Sequence, residues 1–321
     1  MLNRTYTYKV SVCLLTYNHG HLIGRVIDSI LCQTFSDYEL IISDDCSDDD
    51  SWDIIKSYSA RYPKIQAIRT SSNIGMAGNL NYAASFAKGK YLAILHHDDI
   101  LSDCLIERWV ATGEKTGAGF VFNSYPITNV RMRNRYTRAF TEKMDGKRFL
   151  INHLLKNWGC PVRGTALIRH ECFKAVSGAD MRFGMLADVD LWMKLAARWD
   201  VGYVPMPLIE VFQDRPKNYP AEYTRFSWTR TVILFNIHAN NITRNLFGST
   251  LAFASYWFHF RLRVSFEVVK WLIYAVAKGD RNMIISAQES KTPYELFIVD
   301  FFRRLIRFLY LGIKTNSHAI L

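Results

Sequence analysis

No G-x-G-x-x-G follows any apolar run of this sequence and no G-x-x-x-x-G-K-[ST] occurs in it, which disfavours a dinucleotide fold and a P-loop. The six cysteines, Cys13, Cys32, Cys46, Cys104, Cys160 and Cys172, form no C-x-x-C pair, so a tight structural zinc site is disfavoured too. Cys13 sits inside an apolar run and reads as a small core residue. The opening MLNRTYTYKVSVCLLTYN lacks the long apolar region and small-residue cleavage site of a secretory signal. No uninterrupted apolar run reaches the roughly 20 residues that span a bilayer. Internal repeats and low-complexity tracts are also missing. The expectation is a reducing, cytoplasmic setting.

What the chain does carry is positive charge: 40 Lys+Arg against 29 Asp+Glu, a formal net charge of +11. A basic protein calls for an anionic partner: nucleic acid, anionic lipid or a phosphorylated substrate. The stretch Trp228–Leu321 holds 12 Lys+Arg and 5 Asp+Glu, a net +7, and is rich in aromatic and aliphatic residues. Those aromatics fall in apolar helical stripes rather than on a stacking platform. Lipid is therefore favoured and no nucleic-acid partner is expected.

The first hundred residues alternate strand and helix signals. Lys9–Leu15, Tyr38–Ser43, Ile65–Arg69 and Tyr91–Leu95 are short, apolar and β-rich. Between them His21–Cys32, Trp52–Tyr62 and Gly78–Lys88 carry helical spacing or small-residue runs. This rhythm predicts right-handed βαβ units and a parallel sheet. Further on, Gly119–Tyr125, Thr165–Arg169, Gly202–Leu208 and Glu210–Phe212 read as strands, Asp188–Trp199 as a helix, and Arg131–Arg138 as a basic turn. Polar clusters lie just past three strand ends: Thr16-Tyr17-Asn18, Asp44-Asp45 and His96-His97-Asp98-Asp99. Open parallel sheets bind ligands in that crevice.

Two constellations bear chemistry. A strand that delivers Asp98 and Asp99 into a crevice suits a hard cation, since Mg²⁺ and Mn²⁺ take oxygen ligands and bridge carboxylates to phosphates. A helix cap or solvated turn is the other reading. Asp188 and Asp190 open an amphipathic helix whose apolar face runs through Leu191, Trp192, Leu195 and Trp199. There Asp188 is either a general base or a carboxylate complementing the helix dipole. Trp192 is either a sugar-stacking ring or a core residue.

Taken in order, VSVCLLTYNHGHLIGRVIDSILCQTFSDYELIISDDCSDDDS, then Asn73-Ile74-Gly75 with Asn79 and Asn81, then LHHDD, then ADVDLWMKL resemble the inverting family 2 glycosyltransferases over about residues 9–215. The resemblance implies a GT-A fold, an α/β Rossmann-like mixed sheet flanked by helices. It implies that Thr16, Tyr17, Asn18, Asp44, Asp45, Asn73, Gly75 and His96 bind the nucleotide. Asp98 and Asp99 would hold Mn²⁺ or Mg²⁺, with His96 standing where the family has its first acidic position. Asp188 matches the family's general base, with Ala187 where Glu is common and Asp190 as the fallback. Trp192 and Arg215 complete the substrate side, Arg215 on the donor diphosphate.

Two domains are expected: residues 1–225 form the GT-A domain and 226–321 a helical, basic, aromatic-rich region. In the latter, Thr250–Phe266, Glu267–Lys278 and Tyr294–Leu311 are helical, either lying on an anionic membrane or packing on the first domain. The implied function moves a sugar from a nucleoside-diphosphate donor, UDP favoured, to a glycan or lipid-linked acceptor. Cell-surface polysaccharide synthesis at the cytoplasmic face of the membrane is the setting. The alternative, motivated by His96 and Ala187, is a catalytically degenerate GT-A domain that binds nucleotide sugar or a partner.

Overall fold

A computed structural model describes residues 6–125, 140–156, 160–211, 228–279, 285 and 291–306. The chain divides into two compact units, Met1–Lys217 and Asn218–Leu321. The expected boundary at 225/226 lies outside the described residues, as do the basic turn 131–138 and Arg215.

The first unit is built on an eight-stranded sheet of order β3-β2-β1-β4-β8-β6-β9-β7. Its strands are β1 (Tyr8–Thr16), β2 (Tyr38–Asp44), β3 (Ile65–Arg69), β4 (Gly89–His96), β6 (Phe120–Ser124), β7 (Lys143–Met144), β8 (Ala166–Arg169) and β9 (Val201–Pro207). β5 (Asp99–Leu101) and β10 (Ile209–Val211) form a separate antiparallel pair. The four leading strands are mutually parallel, as the βαβ rhythm predicts. β8 then pairs antiparallel with β4 and β6, giving the mixed sheet of the GT-A fold.

Helices α1 (Gly20–Leu31), α2 (Ser51–Arg61), α3 (Gly75–Phe86) and α4 (Leu105–Thr116) connect or flank these strands. Apolar residues at helical spacing on α1, Leu22, Ile23, Val26, Ile27 and Ile30, are all buried, and the four isoleucine and valine residues share a core with Val12, Leu14 and Leu40 of the sheet. α4 buries Trp109 completely, its indole N–H donating to Asn123 Oδ1 at 3.1 Å. That bond satisfies a polar atom that would otherwise be stranded in the core. Gln33 joins α1 to the β5–α4 corner: its amide donates to the Ser102 carbonyl at 2.7 Å and its oxygen accepts from Ile106 N at 3.0 Å. Shorter helices follow: α5 (Gly146–Phe149), running into a π-helical turn Leu150–Leu155, then α6 (His170–Ala175) and α7 (Ala187–Ala196).

Strand register sets where the site is. Thr16 pairs with Asp44, Asp44 with Arg69, and Leu15 with His96, so the carboxyl ends of β3, β2, β1 and β4 finish in one row.

The second unit is helical: α8 (Trp228–Asn241), α9 (Thr250–Lys278) and α10 (Ile298–Ile306). The two helices expected from 250 to 278 are one helix of 29 residues, because no breaker separates Phe266 from Glu267. Ser249 caps it by accepting from Ala252 N at 3.1 Å, and Gly279, at φ 64°, ends it. The expected Tyr294–Leu311 helix is described as Ile298–Ile306; residues 307–311 lie outside the described part. No helix among the described residues is long and apolar enough to cross a membrane.

Candidate functional site

Asp44 and Asp49 of the acidic run 44–50 are engaged in holding loops in place. The buried carboxylate of Asp44 pairs with Arg69 Nε at 3.0 Å and accepts from Ser47 N at 3.1 Å and Ser47 Oγ at 2.5 Å. Asp49 accepts from Gly20 N at 2.9 Å and Ser51 N at 3.0 Å, binding the start of α1. Burial works to raise its pKa, and these hydrogen bonds bring it below the ordinary value. Asn18, held at φ 54°, accepts from Asp48 N at 2.8 Å while its own N–H donates to Ser47 Oγ at 2.9 Å. The loops after β1 and β2 are thereby fastened to each other, with Tyr17 exposed at the edge.

Asp45 faces the next loop. Its carboxylate accepts from Thr70 Oγ1 at 3.1 Å and from Ile74 N at 2.9 Å. Asn73 closes an Asx turn by accepting from Gly75 N at 3.0 Å, and Gly75 adopts φ +76° with open space where a Cβ would stand. Thr16, Asp44, Asp45, Asn73 and Gly75 therefore share one end of the sheet.

A small cavity beside them is lined by Leu15, Met76, His96, Gly164, Asp188 and Trp192, with other apolar side chains completing it. Gly164, at φ +79°, lies where a Cβ would stand 2.9 Å from His96 Nε2 and 3.7 Å from Asp188 Oδ2. The end of β4 and the start of α7 thus meet over a single glycine. Burial holds the His96 imidazole below its ordinary pKa against the pull of the Asp98 charge. Asp188 is half-buried in the first turn of α7.

Beyond β4, Asp99 is buried, its Oδ2 has no hydrogen-bond partner among the described residues, and burial followed by the Asp98 charge raises its pKa well above the ordinary value. A buried carboxylate oxygen left without a donor, beside a second carboxylate, is a fit place for a hard cation. Among the described residues no three His, Cys, Asp or Glu side chains gather into a metal cage. Asp98 and Asp99 are the residues that would hold such an ion. His97 is turned away: its ring stacks on His19 at 3.5 Å between centroids, and its Nδ1 lies 3.3 Å from the Leu15 carbonyl.

Asp190 and Trp192, both expected on the substrate side, lie in the core of the first unit. Asp190 is fully buried and ion-paired with Lys194 Nζ at 2.6 Å, so it anchors α7 instead of reaching a substrate. Trp192 is also fully buried, its ring 5.3 Å from that of Phe120, and it offers no open face to a sugar. Its indole N–H has no partner among the described residues, and the residue is one of those that line the cavity. Arg215 lies outside the described residues.

The turn Cys160–Gly164 went unread in the sequence. Besides Gly164 it carries Arg163, an exposed cation whose guanidinium lies 5.4 Å from the Tyr125 ring centroid and lowers the pKa of Asp99. It also carries Cys160, whose thiol is pushed up by burial and then by the Asp188 charge. The only cue was a glycine between two strand signals. Asn81 was noticed as part of a motif, and its mechanical role is now visible: its amide donates to the Ala179 carbonyl at 2.8 Å and its oxygen accepts from Ala179 N at 2.9 Å. That clamp ties α3 to the turn that leads into α7.

Known proteins resemble this chain in sequence and in fold. The Glycosyl transferase family 2 model matches residues 11–177. The chain is 29% identical over 206 residues to the putative glycosyltransferase EpsE of Bacillus subtilis, covering 61% of this chain and 69% of that protein. It is 30% identical over 152 residues to the Escherichia coli WfgD, a UDP-Glc:alpha-D-GlcNAc-diphosphoundecaprenol beta-1,3-glucosyltransferase, covering 47% of this chain and 57% of the relative. Its fold matches that of S. aureus TarS 1-349 in complex with UDP-GlcNAc with a TM-score of 0.67 at 15% identity, over 94% of this chain and 86% of TarS 1-349. The mannosyltransferase PcManGT of Pyrobaculum calidifontis, in complex with GDP-Man and Mn²⁺, aligns with a TM-score of 0.56 at 15% identity, over 95% of this chain and 88% of that one. The chain belongs to glycosyltransferase family 2.

Proposed function

We propose that this glycosyltransferase transfers a hexose, with inversion, from a UDP-sugar to a lipid-linked or glycan acceptor in surface polysaccharide synthesis. The observation that carries the reading is the convergence of Asp188 and His96 on Gly164, beside the row of strand ends that holds Thr16, Asp44 and Asp45. WfgD, whose acceptor is a diphosphoundecaprenol-linked sugar, supports the lipid-linked acceptor, and the UDP-GlcNAc complex of TarS supports the uridine donor.

Asp45 and the Asn73–Gly75 turn take the base and ribose, since a carboxylate accepts from a uracil N–H or a ribose hydroxyl. Asp44 acts through the loop it holds together. Asp188 removes the acceptor hydroxyl proton as that oxygen attacks the anomeric carbon, help worth about 10²–10⁴ in rate. His96, held neutral by burial, offers a hydrogen bond to the donor. Mn²⁺ or Mg²⁺, when bound at Asp98 and Asp99, supplies positive charge for the departing diphosphate. The Mn²⁺ complex of PcManGT supports this assignment. The basic, aromatic second unit supports work at the cytoplasmic face of an anionic membrane.

A panel of UDP-, dTDP- and GDP-sugars tests the reading, with a sugar-diphosphate-lipid as acceptor and Mn²⁺ or Mg²⁺ present. Diphosphate release confined to UDP-sugars and dependent on both acceptor and cation is expected. Binding of a UDP-sugar with no transfer to any acceptor would favour the degenerate, binding-only alternative.

A further inference from the structure

Among the described residues, exposed large apolar side chains concentrate in the second unit. Leu251, Phe258, Leu262, Phe266 and Ile273 of α9 are 80%, 54%, 49%, 67% and 57% exposed. At 3.6 residues per turn these five positions fall within an arc of about 80°, along a helix about 43 Å long. The opposite side of α9 is already used: Phe260, Val264, Val268 and Leu272 are buried. A helix needs one apolar face to pack, and this one has two.

α10 repeats the pattern. Val299 and Ile306 are buried, while Phe301, and Phe297 just before the helix, are 62% and 86% exposed. The helices are joined where Arg261 Nη2 donates to the Glu295 carbonyl at 2.8 Å and Leu296 N donates to Ser265 Oγ at 2.8 Å.

Charge identifies the occupant. Arg263 and Lys270 follow Phe266 around the helix, on one border of the stripe, with Glu267 behind them. Trp228–Leu321 carries a net +7. A second copy of the same face would bring two basic borders together, whereas anionic headgroups complement them. Four charged residues, Arg261, Arg263, Glu267 and Lys270, interrupt α9 at its middle, so the helix suits the bilayer interface and not its core.

We infer that the exposed apolar faces of α9 and α10 form a docking surface for an anionic bilayer, with α9 lying in the plane of the interface. This deepens the membrane part of the proposed function, yet it does not depend on the chemistry.

The test is co-sedimentation of the full chain with vesicles of phosphatidylcholine alone, or of phosphatidylcholine mixed with phosphatidylglycerol, at several salt concentrations. The wild type is expected to bind the anionic vesicles preferentially, and less so as salt rises. The triple variant Phe258→Ser/Phe266→Ser/Phe301→Ser is expected to bind them about tenfold more weakly or less, with an unchanged melting temperature. Arg263→Gln/Lys270→Gln, which leaves the apolar face intact, is expected to lose the preference for phosphatidylglycerol. Equal binding by the wild type and the triple variant overturns the inference. So does a wild-type dimer that ignores vesicles and becomes monomeric in the triple variant. Asp188→Asn is expected to sediment like the wild type, so loss of transfer and loss of docking are separately visible.

Discussion

His96 and Asp188 lie far apart in the first unit's sequence, and both pack against Gly164: a Cβ there would stand 2.9 Å from His96 Nε2 and 3.7 Å from Asp188 Oδ2. β4 delivers the first, α7 delivers the second, and a backbone conformation with φ +79° keeps the space between them open. Adding a methyl group at this point both strains the backbone and fills the gap.

Gly164→Ala is therefore expected to lower stability by about 1 kcal/mol or more, from backbone strain alone. Its transfer rate should fall further than that loss of folded protein explains. Thermal melting and kcat, measured on the same preparation, separate the two effects. A variant with wild-type kcat would show that the gap is not used.

Asn81 acts at one remove. Its two hydrogen bonds to Ala179 set the turn that leads into α7, and replacing it by Ala leaves the Ala179 N–H and carbonyl without those partners. The expected cost is about 1–3 kcal/mol in stability. Because the clamp positions Asp188 and not the nucleotide loop, kcat should drop while the Kd for UDP stays near wild type. Asn81→Asp, which keeps only the acceptor, should fall between them.

Burial, reinforced by the His19 and His96 charges, holds the His97 pKa down to about 3, against an ordinary value of 6.5. The folded chain keeps this ring neutral, while the unfolded chain protonates it below 6.5. Its contribution to stability is thus fully present above pH 6.5 and is lost as pH falls from there towards 3. Melting temperature should decline across that window in the wild type and decline less in His97→Gln.

How much of this was legible beforehand differs by element. The alternation of β-branched runs with helical spacing placed the four parallel strands, because β1, β2 and β4 are buried on both faces and each helix on one. The Gln33-Thr34 pair was visible only as a motif; its reason, a staple across to Ser102 and Ile106, lies 69 and 73 residues away. Asp44 and Asp45 read alike as nucleotide ligands, yet Asp44 serves loop architecture, as Asp49 does. Trp192 and Asp190 were ambiguous because the start of this helix touches both site and core, and only packing against Phe120 and Lys194 decides between them. The Cys160–Gly164 turn had no signal beyond one glycine, since its importance comes from what other strands bring to it.

Arg163 in that turn is exposed beside Asp99, and its expected partner is the donor diphosphate. Arg163→Ala should raise the KM for the UDP-sugar by about ten- to a hundredfold, in line with a charge-assisted hydrogen bond of about 1.5–3 kcal/mol. Arg163→Lys, which keeps charge without the planar fork, should recover part of that. An unchanged KM in both variants would place the guanidinium away from the phosphates.

The most direct measurement is single-turnover sugar transfer by Asp188→Asn, alongside calorimetric binding of the UDP-sugar to the same protein. Expected is a transfer rate lower by about 10²–10⁴ with donor affinity retained, the loss that follows when a general base is removed from an intact site. Wild-type transfer by Asp188→Asn would contradict the assignment of Asp188 as the base.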